Sequence, residues 1–314
     1  MTPVRIATGS RLHFGLLAVP PRPDWTPDGR RYYGGVGLMI DRPGVALRVE
    51  PARDWSARGQ LSERALTAAR RVAAVVGRAA TVTVESCPPP HVGLGVGTQL
   101  ELAAALATCA ALGVDRPLDE LARLTTRGRR SAIGVHGFAL GGLIVDGGKR
   151  RPDDLGELVA RRDFPAAWRI VVLTPAAEPA WHGRREDAAF ECGRIAADDR
   201  LAPLIWNDLL PALDRADFPA ASAAIAEYNA RVGDCFAPVQ GGRFSHPAVA
   251  EIVAWLHSEG IAGAGQSSWG PTTFAWVEDE DRAQSLLRQA QHRWGDRLCA
   301  VVTGARNHGA DVVH

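Results

Sequence analysis

Pro88-Pro89-Pro90-His91-Val92-Gly93-Leu94-Gly95-Val96-Gly97-Thr98-Gln99 runs straight into Leu100-Glu101-Leu102-Ala103-Ala104-Ala105-Leu106. Glycines at alternate positions from 93 to 97 let the backbone turn sharply and approach a ligand closely. The alanine- and leucine-rich run behind them is a strong helix former. A glycine loop feeding a helix N-terminus aims bare N–H groups and the positive end of the helix dipole at one spot. That chemistry suits a phosphate or pyrophosphate. A plain strand-to-helix turn would use the same residues, so the glycines alone leave both readings open.

Other segments could add to such a site. Arg11-Leu12-His13-Phe14-Gly15 sets a cation and an imidazole on one face of a strand by period-2 alternation, an arrangement fit for a phosphate or carboxylate. A late loop, Gly263-Ala264-Gly265-Gln266-Ser267-Ser268-Trp269-Gly270-Pro271-Thr272, offers a run of donors with an indole beside them. Arg129-Arg130-Ser131-Ala132-Ile133-Gly134-Val135-His136-Gly137 and Trp181-His182-Gly183-Arg184-Arg185-Glu186 bring basic residues into turns, and a charged surface turn reads equally well for both.

The elements that must position these residues follow from pattern. Strands are expected at 5–8 and 11–17, broken at Gly9-Ser10, and at 45–50, 80–85, 141–146, 169–174, 272–277 and 298–303. Helices are expected at 62–76, 98–112, 118–125, 186–197, 201–213, 218–232, 247–260 and 280–294. A proline-rich loop over 20–29 carries Trp25, with Tyr32 and Tyr33 close behind. The charged stretch 147–163 is the expected domain boundary. Strands and helices without a regular βαβ rhythm indicate α+β.

Composition narrows the function classes. A chain of 314 residues has room for two domains, and 46% hydrophobic with 23% charged residues describes a globular protein. A net charge of +1 gives no general attraction to nucleic acid or membrane. Lys149 is the single lysine, so Schiff-base chemistry has one candidate. Five scattered cysteines with no C-x-x-C pair read as free buried thiols of a reducing cytoplasm, not a disulfide frame or zinc site. No basic leader precedes an apolar run, and no stretch is apolar enough to span a bilayer, so a cytoplasmic location is expected.

Together these segments resemble the GHMP superfamily of small-molecule kinases, at 11–15, 89–97 and 263–270. Within it the beta-ribofuranosylaminobenzene 5'-phosphate synthases are the closer likeness. It is carried by Arg11–Gly15, by His91-Val92-Gly93-Leu94-Gly95 with Gly97-Thr98-Gln99, and by Arg130-Ser131-Ala132-Ile133-Gly134-Val135-His136-Gly137-Phe138. Pro238-Val239-Gln240-Gly241-Gly242-Arg243-Phe244 and the Gln266-Ser267-Ser268-Trp269-Gly270-Pro271-Thr272 string complete it, in collinear order. The resemblance implies a two-domain GHMP-kinase-like α+β fold. Residues 1–155 would form an N-terminal mixed α/β domain and 156–314 a ferredoxin-like C-terminal domain.

It also implies a reaction. Phosphoribosyl pyrophosphate (PRPP) would condense with 4-aminobenzoate or 4-hydroxybenzoate, releasing pyrophosphate and CO2, in tetrahydromethanopterin biosynthesis with Mg2+. Carried over by position, Arg11 and His13 become catalytic; Gly93, Leu94, Gly95, Gly97, Thr98, Gln99, Gln266, Ser267, Ser268 and Trp269 bind substrate. Tyr32 is an alternative flank for the ring, and Thr98 and Asp146 are candidate metal ligands. Homodimerisation is the default expectation for such an enzyme. The sequence departs from the kinases at the Ser131 turn, which lacks their aspartate, and at Val96, which replaces their serine. Both departures weigh against the alternative, an ATP-dependent kinase on the same fold. A catalytically silent binding protein is the third reading.

Overall fold

The computed structural model describes residues 2–19, 29–74, 77–177, 184–192 and 194–314. Its first sheet is built on β1 (Val4–Leu16) and β2 (Gly35–Ala52), paired antiparallel. The expected break at Gly9-Ser10 is a bulge inside one continuous strand, with the register shifting between Thr8 and Ser10. Glycine is required there because a Cβ on Gly9 would lie 2.0 Å from the Ile40 carbonyl oxygen. β3 (Ser56–Arg58) runs parallel to β4 (Ala79–Ser86), which joins β2 along its second half. β5 (Leu143–Asp146) pairs with the first half of β2, and β6 (Leu158–Arg162) pairs with β5.

α1 (Ser62–Ala73), α2 (Val96–Leu112), α3 (Leu118–Leu124) and α4 (Ile133–Leu140) accompany this sheet. Val4, Ile6, Leu47 and Val49 of the strands pack with Leu66 and Val72 of α1 and Leu100 and Leu102 of α2. α2 is apolar almost all round, as befits a helix enclosed on every side.

The second sheet holds β7 (Arg169–Pro175), β8 (Ala264–Gln266), β9 (Thr273–Val277) and β10 (Leu298–Thr303) in the order β10-β7-β9-β8, all antiparallel. That is the ferredoxin-like arrangement. Between β7 and β8 come α5 (Arg184–Glu191), α6 (Leu201–Pro203), a π-helical stretch (Leu204–Leu209), α7 (Leu210–Asp214), α8 (Phe218–Gln240) and α9 (Pro247–Ser258). α10 (Glu280–Trp294) connects β9 to β10, capped by Asp279, whose carboxylate accepts from the Arg282 amide.

The chain then returns, and β11 (Asp311–Val313) pairs antiparallel with β1. The first sheet therefore takes β6 and β11 from beyond residue 155, so a cut between 155 and 156 does not separate the two sheets. One apolar core runs through both. Phe14 of β1 meets Phe274 and Trp276 of β9 edge-on, at ring-centre separations of 4.7 and 5.6 Å. All five cysteines are free, but Cys192 and Cys299 are exposed, against the expectation of burial. No helix among the described residues is long and apolar enough to cross a membrane.

Candidate active site

α2 begins at Val96, two residues before the expected start, with Gly95 as its N-cap in the left-handed region at φ 65°. No side chain caps it. The Thr98 and Gln99 amides donate to the Gly95 carbonyl at 3.1 and 3.3 Å. Those of Val96 and Gly97 have no partner among the described residues. Two guanidinium groups lie against this mouth. A Cβ on Gly95 would sit 2.9 Å from Arg11 Nε, and one on Gly97 would sit 2.2 Å from Arg64 Nη2. The alternating glycines make room for two arginines as well as for the turn.

Arg11 reaches the loop from β1, its amide donating to the Leu94 carbonyl at 2.9 Å. Its Nε is shielded from solvent and has no hydrogen-bond partner among the described residues. Burial pushes its pKa down to about 10, against the pull of Glu186, so the charge remains at neutral pH. Arg64 comes from α1 and is held from behind by Glu101 of α2, Nε to Oε1 at 2.6 Å. Glu101, itself nearly buried, also takes Arg127 Nε at 2.7 Å. The mouth of α2 is thus cationic from three sources: the helix terminus, Arg11 and Arg64.

His13 sits two residues along β1 from Arg11. Burial, with Arg11 adding to it, holds its imidazole well below the usual histidine range, so the ring is neutral. Its amide donates to Ser267 Oγ at 3.0 Å, and that hydroxyl donates to the Gly93 carbonyl at 2.7 Å. The Ser268 amide donates to the His13 carbonyl at 2.9 Å. A Cβ on Gly270 would lie 2.1 Å from the Gly93 nitrogen. The late loop is therefore clamped onto the first glycine loop, glycine against glycine.

Beside this clamp lies a cleft open to solvent, with His13 and Phe14 on one side and Phe190, Phe236 and Trp269 as aromatic walls. The Trp269 ring centre is 5.0 Å from that of Phe190 and 5.2 Å from that of Phe236. Its indole donates to Gln240 Oε1 at 2.8 Å. Arg130 lies over the Phe190 ring, 4.3 Å from its centre, and pairs with Glu186. Such walls favour a flat aromatic ligand.

The expected residues divide into two groups. Gly93, Gly95, Gly97 and Thr98 form the loop, while Ser268 and Trp269 face the cleft. Leu94 belongs to the core. Gln99 accepts from Thr8 Oγ1 and donates to the Gly134 carbonyl; Gln266 bonds Ser245 and the Ser268 carbonyl. Together with Ser267, their polar groups are already engaged inside the protein. Tyr32 is buried and bridged to Lys149, whereas Tyr33 meets Phe190 at 5.9 Å. Lys149 is buried and donates to the Arg129 and Pro152 carbonyls. Trp25 and Trp181-His182-Gly183 lie outside the described residues.

Asp146, a candidate metal ligand, has both carboxylate oxygens engaged within the protein. It is buried, and its oxygens accept from the Ala132 and Gly148 amides and from Ser131. No three His, Cys, Asp or Glu side chains gather as ligands among the described residues. Sequence reasoning missed Arg64, Phe190 and Phe236. Their helices show ordinary amphipathic patterns, and nothing local tells an arginine at a helix mouth from a solvated one.

The family model described as GHMP kinases N terminal domain matches residues 61–142, and GHMP kinases C terminal matches 209–296. The beta-ribofuranosylphenol 5'-phosphate synthase of Methanothermobacter thermautotrophicus is 32% identical, with 98% of each chain covered. That of Archaeoglobus fulgidus is 30% identical over 98% of this chain and 99% of the relative. Among solved structures, homoserine kinase from Cytophaga hutchinsonii superposes with a TM-score of 0.66 at 14% identity, covering 100% of this chain and 98% of that one. Mevalonate pyrophosphate decarboxylase from Streptococcus pyogenes gives 0.62 at 12% identity, covering 98% and 97%. At such identities the likeness is one of fold.

Proposed function

The chain belongs to the beta-ribofuranosylphenol 5'-phosphate synthase family on the GHMP kinase fold, and from that premise we propose a pentosyl transfer. The ribose 5-phosphate unit of PRPP passes to the carboxylate-bearing carbon of a para-substituted benzoate. The observation that carries the reading is a cationic helix mouth, with an arginine nitrogen that has no partner among the described residues, and an aromatic-walled cleft lined by the same strand.

The step balances without a base. The bond between the sugar's anomeric carbon and pyrophosphate breaks, and its electrons leave with the pyrophosphate. The ring carbon bearing the carboxylate donates a π pair to the anomeric carbon. The carbon–carboxylate bond then breaks, returning its pair to the ring and releasing CO2, so no proton is removed from carbon. Arg11, Arg64 and the Val96 and Gly97 amides meet the charge that grows on the leaving pyrophosphate, where preorganised donors act most strongly. Neutral His13 flanks the reacting centre as a hydrogen-bonding group, and the Phe190, Phe236 and Trp269 wall orients the arene and excludes water. Any magnesium in this scheme travels on the donor's diphosphate.

The relatives' name specifies a ribofuranosylphenol, which favours 4-hydroxybenzoate over 4-aminobenzoate; the product would feed tetrahydromethanopterin synthesis. The test is to mix protein, magnesium, PRPP and each benzoate labelled with 13C at the carboxyl. The expected outcome is a C-riboside 5'-phosphate by mass, with labelled CO2 released in equal amount. Pyrophosphate release without labelled CO2, or ATP consumption in place of PRPP, overturns the reading.

A further inference from the structure

β1 and β8 belong to different sheets, and no strand pairing joins them. β1 carries Arg11 and His13. β8 ends at Gln266, directly before the Ser267 hydroxyl that bonds the Gly93 carbonyl. Between the two strands lies one side chain from the middle of α8. Asn229 Nδ2 donates to the Phe14 carbonyl at 2.7 Å and to the Gln266 carbonyl at 2.9 Å, and its Oδ1 accepts from the Gln266 amide at 2.9 Å. One carboxamide thus holds three backbone groups from two domains.

The seat is cut to this side chain. A Cβ on Gly265 would lie 2.2 Å from Asn229 Oδ1. The neighbouring Tyr228 hydroxyl donates to the Gly15 carbonyl at 3.0 Å, fixing α8 along β1. Asn229 borders the cleft, yet both its N–H donors are engaged, leaving none to offer a ligand. It is buried, where an amide with its partners met is rigid and an orphaned partner is costly.

We propose that Asn229 is a positioning residue for the transfer reaction: it sets the register between the strand bearing Arg11 and His13 and the loop Ser267–Trp269, so that sugar carbon and ring carbon meet. The proposal rests on the pentosyl-transfer reading for its kinetic readout. In the proposed reading the diphosphate is held by Arg11, Arg64 and the α2 amides, all on one side of the seam, and the arene chiefly by the Phe190, Phe236 and Trp269 wall on the other, so most of each ligand's binding survives loosening of the seam. Bond formation depends on alignment across it, and a displacement of about 1 Å can lower turnover on the order of 100-fold.

The test is Asn229→Ala, with Asn229→Asp as a same-shaped variant that loses both donations should the first not fold. Expected is a fall in kcat of about 10- to 100-fold, with KM for PRPP and for 4-hydroxybenzoate each within about threefold. If wild type makes product and the variant keeps kcat within about twofold, or loses affinity for both ligands in step with kcat, the inference falls and the reaction stands. If wild type makes no product, the reaction falls, and hydrogen exchange decides the rest. Exchange at the Gln266 amide should rise by more than about tenfold in the variant while that at Val172 does not change. Equal exchange in both proteins overturns the inference.

Discussion

Arg11 brings a charge into the protein and leaves its Nε without a partner among the described residues. A partly buried guanidinium with one donor unmet carries a desolvation cost that an arriving anion offsets, which is how a binding site differs from a stabilising pair. Arg11→Ala is therefore expected to lower turnover by about 100- to 1,000-fold while the melting temperature holds or rises; a near-normal rate in a steady-state assay would remove its role. His13 carries the complementary lesson. Its folded pKa lies well below its unfolded value near 6.5, so below that pH the unfolded chain takes up a proton that the native state refuses. Its contribution to stability is full above about pH 6.5 and is lost as the pH falls through the folded pKa. Between pH 6 and 8 the ring stays neutral, so kcat/KM should show no histidine-like step assignable to it, and His13→Gln should leave the profile's shape unchanged.

α2 joins sequence to site most directly, and Gly97 shows how. The three atoms nearest a methyl group there all belong to the far end of Arg64, so the guanidinium is the part that must move. Gly97→Ala should weaken pyrophosphate binding by about tenfold, or 1.4 kcal/mol, with helicity by circular dichroism unchanged; equal affinity by calorimetry would detach Arg64 from the site. The glycine loop, α10 and β10 were legible because each carries a strong local signal: glycines, an aspartate cap and a short continuous apolar run. β6 was not. It is a five-residue edge strand in a charged stretch, with only Ala160 buried, so partnership with β5 makes it a strand and its own pattern does not. The same limit hid the cleft. Phe190 on α5 and Phe236 on α8 lie far apart in sequence, and only tertiary packing brings them to Trp269.

At the scale of the whole molecule, the two sheets share a core and a polar seam. Phe14 packs on Phe274 and Trp276, and Ser267 bonds groups on both sides. Neither half buries its apolar face alone, so thermal unfolding should be a single cooperative transition; two resolved calorimetric peaks would contradict this. Ser267→Ala leaves the Gly93 carbonyl and His13 amide unmet and should cost about 1–3 kcal/mol, read as a lower midpoint with the transition still single. The pairing of β11 with β1 has its own consequence, since Arg5 lies opposite Val313. A segment from far along the chain thereby finishes the border of the first sheet, so removing residues 311–313 should bare the main-chain groups of β1 and promote pairing with other molecules, while the cleft walls keep their places.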